Sequence, residues 1–122
     1  MFNTIGIITK PKDFTSEETA RELSVFLHEQ GVSLVEGSEQ ISKNADLIIV
    51  VGGDGSILNT ARTYVDRNIP ILGVNLGRLG FLADVSVENM IAVVEQILNG
   101  DFIKEERALL SCQIERGNQI LS

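Results

Sequence analysis

The middle of the chain carries five consecutive apolar residues, Leu-Ile-Ile-Val-Val at positions 47–51, and all but the first are β-branched. Such a run is typical of a strand that is covered on both faces inside a parallel sheet. The sequence Gly-Gly-Asp-Gly-Ser follows at once at positions 52–56, and apolar residues then recur at helical spacing to about Asp66. These segments predict a central strand, a glycine turn and a helix, in that order.

Further apolar runs alternate with helical patterns along the chain. Strands are predicted at residues 4–9, 32–35 and 69–74. One helix is predicted to start at a capping box with Thr15 as N-cap and to stop at Gly31, and another to start at Ser86 and to stop at Asn99 and Gly100. Residues 36–46 have no pattern that assigns them. This alternation predicts an α/β fold, a Rossmann-like parallel sheet with flanking helices and right-handed crossovers.

The last part of the chain has a different pattern. Residues 104–107 are charged, residues 108–115 predict a strand, residues 116–118 a turn and residues 119–122 a return strand. A two-stranded ribbon is marginally stable without further strands. We therefore expect residues 1–100 to form the α/β domain, and residues 101–122 to be the opening hairpin of a second, β-rich domain that is truncated here.

Charge and composition exclude several classes of function. The chain has 17 acidic and 10 basic side chains, for a net charge of -7, so it lacks the cationic stripe that nucleic acids require. Its longest apolar run is far below the roughly 20 residues of a membrane span. With one cysteine and one histidine, Cys112 and His28, it offers neither a disulfide nor a Cys/His metal site. A cytoplasmic protein with no nucleic-acid or membrane partner and no metal site of its own is expected.

The glycine turn is the candidate functional site. The chain has no Walker loop, and Lys10 follows the first strand where a dinucleotide fingerprint would place its glycines. The carboxyl end of a strand and the amino end of a helix together form an anion site. Asp54 would repel an anion there, unless it accepts a proton from an attacking hydroxyl, holds that hydroxyl or meets a cation. The turn therefore predicts phosphoryl transfer to an alcohol. A hairpin at Asp54 and Gly55 is the plainer alternative, but the helical spacing that follows argues against it.

The sequence contains Gly-Gly-Asp-Gly-Ser within residues 51–62, Asn-x-Gly-x-Leu-Gly-Phe-Leu within residues 73–82, and Glu-Arg-Ala-Leu-Leu at residues 106–110. Together these three segments resemble the bacterial ATP-dependent NAD kinases. The Gly-Gly-Asp-Gly motif alone also occurs in phosphofructokinases and in diacylglycerol and sphingosine kinases, whereas Asn-x-Gly-x-Leu-Gly-Phe-Leu beside it is close to diagnostic of the NAD kinases.

The resemblance assigns roles to individual residues. Asp54 would contact the 2'-hydroxyl of the adenosine ribose and accept its proton, and Gly55 would also touch NAD. Leu58 and Phe81 would line the adenine pocket, although Phe81 could instead pack in the core. The remaining nucleotide-binding candidates are Gly52 and Gly53 for the donor phosphates, and Ser56, Arg62, Asn75 and Arg78.

Three of these candidates also have plainer interpretations. Arg62 could be an exposed helix residue, Arg78 a solvated loop charge and Asn75 a partner for loop backbone.

The function implied is an NAD kinase that transfers the γ-phosphoryl group of ATP, or a phosphate of polyphosphate, to NAD to make NADP, with Mg²⁺ or a similar ion accompanying the donor. The full-length enzyme is expected to be a homo-oligomer. The Asn-Glu motif and the Gly-Ser/Thr-rich segment of the family's second domain are absent from this sequence, so little kinase activity is expected of the chain by itself. Two alternatives remain, a lipid or sugar kinase with the same motif, and a non-catalytic nucleotide-binding or receiver-type module.

Overall fold

A computed structural model describes residues 2–10, 12–67, 69–76, 84–86, 89–100, 103–104, 110–114 and 119–121. The strands in these ranges are β1 (Thr4–Thr9), β2 (Ser33–Val35), β3 (Leu47–Gly52), β4 (Ile71–Asn75), β5 (Asp84–Ser86), β6 (Ile103–Lys104), β7 (Leu110–Ile114) and β8 (Gln119–Leu121). The helices are α1 (Phe14–Glu29), α2 (Ser38–Asn44), α3 (Asp54–Thr63) and α4 (Met90–Leu98), and a 3-10 turn spans Val65–Arg67.

Strands β1 to β5 form one parallel sheet in the order β2-β1-β3-β4-β5. The predicted central strand is confirmed, because β3 pairs with β1 on one side and with β4 on the other, and all six of its residues are buried. In the register Ile49 lies between Ile7 of β1 and Leu72 of β4. The predicted α/β class with a parallel sheet is therefore confirmed.

Helices cover both faces of this sheet. On one face α1 and α4 pack over alternate strand residues, among them Ile49 and Val51. On the other face α2 and α3 pack over the intervening residues, among them Ile48 and Val50. The continuous apolar run of β3 is thus explained, since each of its side chains contributes to one of two cores.

Helix α1 begins earlier than the sequence predicts. Its N-cap is Asp13, whose Oδ1 accepts a hydrogen bond from the backbone N–H of Ser16 at 3.2 Å. The predicted N-cap, Thr15, lies inside the helix, so that assignment was wrong. The three-residue spacing of a cap fits Asp13 and Ser16 as well as Thr15 and Glu18.

Residues 36–46, which the sequence left unassigned, contain α2. Gly37 precedes this helix with a φ of +84°, and Ile41 is its one buried residue among those described. Ile41 packs on β1 at Gly6, where a Cβ atom would lie 2.7 Å from its Cγ1. A seven-residue helix with one buried side chain has no apolar periodicity to read.

The second half of the sheet also differs in detail from the prediction. Ser86 belongs to β5 and pairs with Asn75, and the N-cap of α4 is Asn89, so the predicted cap at Ser86 was wrong. The predicted end of α4 is confirmed by Asn99 at the C-cap and by Gly100 with a φ of +92°.

A second sheet follows in the described part of residues 101–122. Strand β7 pairs antiparallel with β6 and with β8, and Cys112 lies opposite Leu121 in the register. The pairing of β7 with β8 confirms the two strands of the predicted hairpin, whereas its predicted turn at residues 116–118 lies outside the described residues. Strand β6 was not predicted, because the sequence around Lys104 is charged. No helix in the described ranges is long and apolar enough to cross a lipid bilayer.

Candidate functional site

The chain reverses its direction of winding between β1 and β3. After β1 it crosses to β2 on one side, and after β3 it crosses to β4 on the other, which makes the carboxyl ends of β1 and β3 a topological switch point. The register brings Thr9 of β1 beside Val51, and Gly52 beside Asn75 of β4. Open α/β sheets bind ligands in the crevice outside such a point.

Helix α3 starts at this edge of the sheet without a side-chain cap from the described residues. Its N-cap is Gly53, which has extended backbone at φ -111° and ψ -173°, and its first residue is Asp54. The first N–H groups of a helix have no partner within the helix, and together they carry a positive partial charge. In contrast, Asp13 fills this role for α1. Helices α2 and α4 also have no side-chain cap from the described residues, but α3 is the one that follows the central strand β3 at the switch point. The amino terminus of α3 can therefore accept an anion at the switch point.

The glycines of the turn have different structural roles. A Cβ atom at Gly52 would lie 2.8 Å from Oγ of Ser56, so packing requires glycine there. At Gly53 and Gly55 a Cβ atom would meet no described atom within 4 Å, and neither residue has a positive φ. Neither packing against the described residues nor backbone conformation therefore explains why positions 53 and 55 are glycine, and the described part of the chain leaves the space beside them open.

The hydrogen bond from the backbone N–H of Leu76 to the carbonyl oxygen of Gly52, at 2.9 Å, joins the turn to the segment that follows β4. The neighbouring Asn75 is 3% exposed. The structure thus brings the predicted residue Asn75 to the strand end beside the glycine turn.

The other predicted residues are distributed along α3. Ser56 lies in its first turn and is half-buried, whereas Leu58 is 40% exposed and Arg62 is also exposed. Leu58 and Arg62 stand four and eight residues after Asp54, so the three positions follow one line along the helix. Arg62 is about 12 Å along the axis from the helix start. Arg78 and Phe81 lie outside the described residues.

The site also includes Ser16, which the sequence did not single out. Its buried hydroxyl donates to the carbonyl oxygen of Val51 at 2.9 Å and accepts from the backbone N–H of Lys10 at 2.9 Å. One side chain therefore joins the end of β1, the first turn of α1 and the end of β3. The only signal in the sequence was a serine in the first turn of a helix, which is common.

Groups of three or more His, Cys, Asp or Glu side chains that could hold a metal ion do not occur among the described residues.

Comparison with known proteins adds a family match. Residues 33–102 match the family model described as the ATP-NAD kinase N-terminal domain. The chain is similar to the NAD kinase of Hydrogenovibrio crunogenus, with 38% identity over 99% of the chain and 48% of that relative. It is 38% identical to the NAD kinase of Nitrosomonas eutropha, over 95% of the chain and 45% of the relative. It is also 38% identical to the NAD kinase of Pseudoalteromonas translucida, over 99% of the chain and 47% of that relative. The chain thus spans about half the length of the curated relatives it matches.

Proposed function

The chain belongs to the NAD kinase family and corresponds to its amino-terminal domain, and from this premise we propose that it supplies the phosphoryl-transfer half of an NAD kinase site. The proposed reaction transfers the γ-phosphoryl group of ATP to the 2'-hydroxyl of the adenosine ribose of NAD, which yields NADP and ADP. Polyphosphate is a second possible donor. The lipid and sugar kinases and the receiver-type module are not favoured, since the three relatives described above are each named NAD kinase.

The observation that carries the proposal is the space beside Gly53 and Gly55, which the described residues leave open. Both residues lie at the amino terminus of α3, beside the switch point of the sheet, where no described side chain caps the helix and no described residue requires glycine. Phosphate oxygens can approach main-chain N–H groups closely only where no side chain intervenes. Glycines at these two positions therefore favour a phosphate ligand over a purely structural turn.

Asp54 is proposed as the proton acceptor. Its carboxylate would take the proton of the 2'-hydroxyl as the ribose oxygen forms a bond to the γ-phosphorus, while the bond from that phosphorus to the bridging oxygen breaks and ADP leaves. A positioned proton acceptor contributes about 10² to 10⁴ in rate. The remainder of the rate enhancement would come from alignment of the two substrates and from neutralisation of phosphate charge.

The other site residues are proposed to bind the two nucleotides. Gly52 and Gly53 would offer main chain to the donor phosphates, and Gly55 would touch NAD. The remaining proposed contacts are Leu58 and Phe81 with adenine, and Ser56, Arg62, Asn75 and Arg78 with polar groups of the nucleotides.

A divalent ion such as Mg²⁺ is proposed to arrive with the donor, since the described residues offer no cluster of three ligands for it. When bound, it would neutralise charge on the phosphates. A cytoplasmic location and a homo-oligomeric full-length enzyme belong to the same proposal.

Titration of the ¹⁵N-labelled chain with ATP and Mg²⁺, and separately with NAD, tests this function. We expect both nucleotides to shift the amide signals of Gly53 and Gly55, and Asp54→Asn to retain most of the affinity because a proton acceptor contributes little to binding. A folded wild-type chain that binds neither nucleotide would favour a structural module and contradict the proposal.

A further inference from the structure

Lys10 lies beside the glycine turn. It follows Thr9, the last residue of β1, and Thr9 pairs with Val51 of β3 in the register. A Cβ atom placed at Gly52 would lie 3.9 Å from the Cβ of Lys10. The Lys10 side chain therefore starts next to the turn, on the β1 side of the switch point.

The backbone at Lys10 is fixed by a buried contact. Its N–H donates to Oγ of Ser16 at 2.9 Å, and the same hydroxyl donates to the carbonyl oxygen of Val51 at 2.9 Å. Ser16 is fully buried. Without its hydroxyl, one backbone donor and one backbone acceptor would lose their partner. Ser16 thus fixes the position of Lys10 relative to the strand that leads into the turn.

Lys10 places an exposed positive charge at the carboxyl edge of the sheet. The residue is exposed, and it forms no salt bridge with a described carboxylate. The amino terminus of α3 supplies only about half of a positive charge. A bound triphosphate carries several negative charges, and Asp54 adds another. The two charges of Mg²⁺ and the partial charge of helix α3 together leave part of this negative charge unbalanced, and a lysine on a flexible stem can approach it.

We propose that Lys10 binds the phosphates of the donor nucleotide and that the buried hydroxyl of Ser16 positions it. The assignment rests on the proposed function, because it needs a donor at the glycine turn. Lys10 is a binding residue in this scheme, and Ser16 acts through it.

Two affinities of the 122-residue chain test the proposal. One is its affinity for ATP with Mg²⁺, and the other is its affinity for adenosine, which lacks phosphate. We expect Lys10→Met to weaken ATP binding by about tenfold or more, the typical effect of removing a hydrogen bond to a charged group, and to leave adenosine binding unchanged. Lys12→Met is the matched control, since it removes the same charge two residues further along the chain. Lys12 is also exposed, and its φ is +60°. It should weaken ATP binding by less than about threefold.

Ser16→Ala tests the positioning role. It should weaken ATP binding but not adenosine binding, and in the double variant with Lys10→Met it should add little to the loss that Lys10→Met causes alone. Ser24→Ala is its control, because Ser24 Oγ also donates to a carbonyl oxygen, that of Ala20 at 2.8 Å, but within α1. If Ser16→Ala does not fold, Lys10→Met still decides the proposal, because its side chain is exposed.

The outcomes separate this assignment from the proposed function. If the wild-type chain binds ATP, and Lys10→Met binds it equally well or loses no more affinity than Lys12→Met, the Lys10 assignment is overturned and the proposed function stands. If Ser16→Ala weakens ATP and adenosine binding alike, its role is structural only. If the wild-type chain does not bind ATP, the proposed function fails, and the Lys10 assignment fails with it.

Discussion

Gly52 and Ser56 are so close that a Cβ atom at Gly52 would lie 2.8 Å from Oγ and 2.9 Å from Cβ of Ser56. The first turn of α3 therefore lies directly against the end of β3. The glycines of the turn have different roles, because Gly52 permits this packing, whereas the described residues leave the space beside Gly53 open.

Gly52→Ala should destabilise the fold. The new methyl group meets the Cβ of Ser56, which the helix holds in place, so α3 must move; overpacking of this kind costs about 1–3 kcal/mol. Urea denaturation followed by circular dichroism would measure the loss. A free energy of unfolding equal to that of the wild type would show that the contact is looser than the structure indicates.

Gly53→Ser should separate stability from ligand binding. Serine at an N-cap is better than glycine by a few tenths of a kcal/mol, so the free energy of unfolding should stay level or rise slightly. The same side chain would enter the space proposed for donor phosphates, and ATP affinity should fall. Denaturation and ATP titration of one preparation check both effects, and unchanged affinity would count against a phosphate at Gly53.

Asp46→Ala should lower the stability of the fold and leave ATP binding unchanged. Asp46 Oδ2 accepts hydrogen bonds from the backbone N–H groups of Asn3 at 2.6 Å and Thr4 at 3.2 Å, at the amino edge of the sheet. Loss of these bonds should cost about 1–2 kcal/mol in unfolding free energy. Because this edge is opposite the glycine turn, ATP affinity of the folded variant should not change. A drop in affinity would mean that the two edges are coupled.

The sequence predicted the central part of this fold well, for a physical reason. β3 is buried on both faces, and its continuous apolar run, followed by glycine and a helical pattern, has few other solutions. In contrast, α2 rests on the single buried residue Ile41, and β5 is held by three ladder positions beside β4. Neither leaves a periodic pattern in the sequence.

The candidate site was predicted in part. The glycine turn could be recognised, because a motif is local in the sequence. The contact of Ser16 with Val51 joins residues 35 positions apart, and no local pattern encodes it. The roles of Asp54, Leu58 and the other site residues remain predictions, and Arg78 and Phe81 lie outside the described residues.

The 122-residue chain by itself should show little or no kinase activity. It spans about half the length of its relatives, and the resemblance assigns part of the NAD site to the other half. The measurement is NADP formation from NAD, ATP and Mg²⁺, with a complete relative as positive control. Turnover at the rate of that control would refute this expectation.

The central claim is that Asp54 is the proton acceptor of a phosphoryl transfer. Its most direct test is a chimera in which this chain replaces the residues of the Hydrogenovibrio crunogenus NAD kinase to which it aligns, and is joined to the rest of that enzyme. The rate of NADP formation is compared between this chimera and its Asp54→Asn variant. Asp46→Asn, the same change at the opposite edge of the sheet, is the control for folding. We predict that the chimera forms NADP, that Asp54→Asn lowers the rate by about 10² to 10⁴, and that Asp46→Asn leaves it nearly unchanged. Equal rates for the chimera and for a folded Asp54→Asn variant would contradict the account.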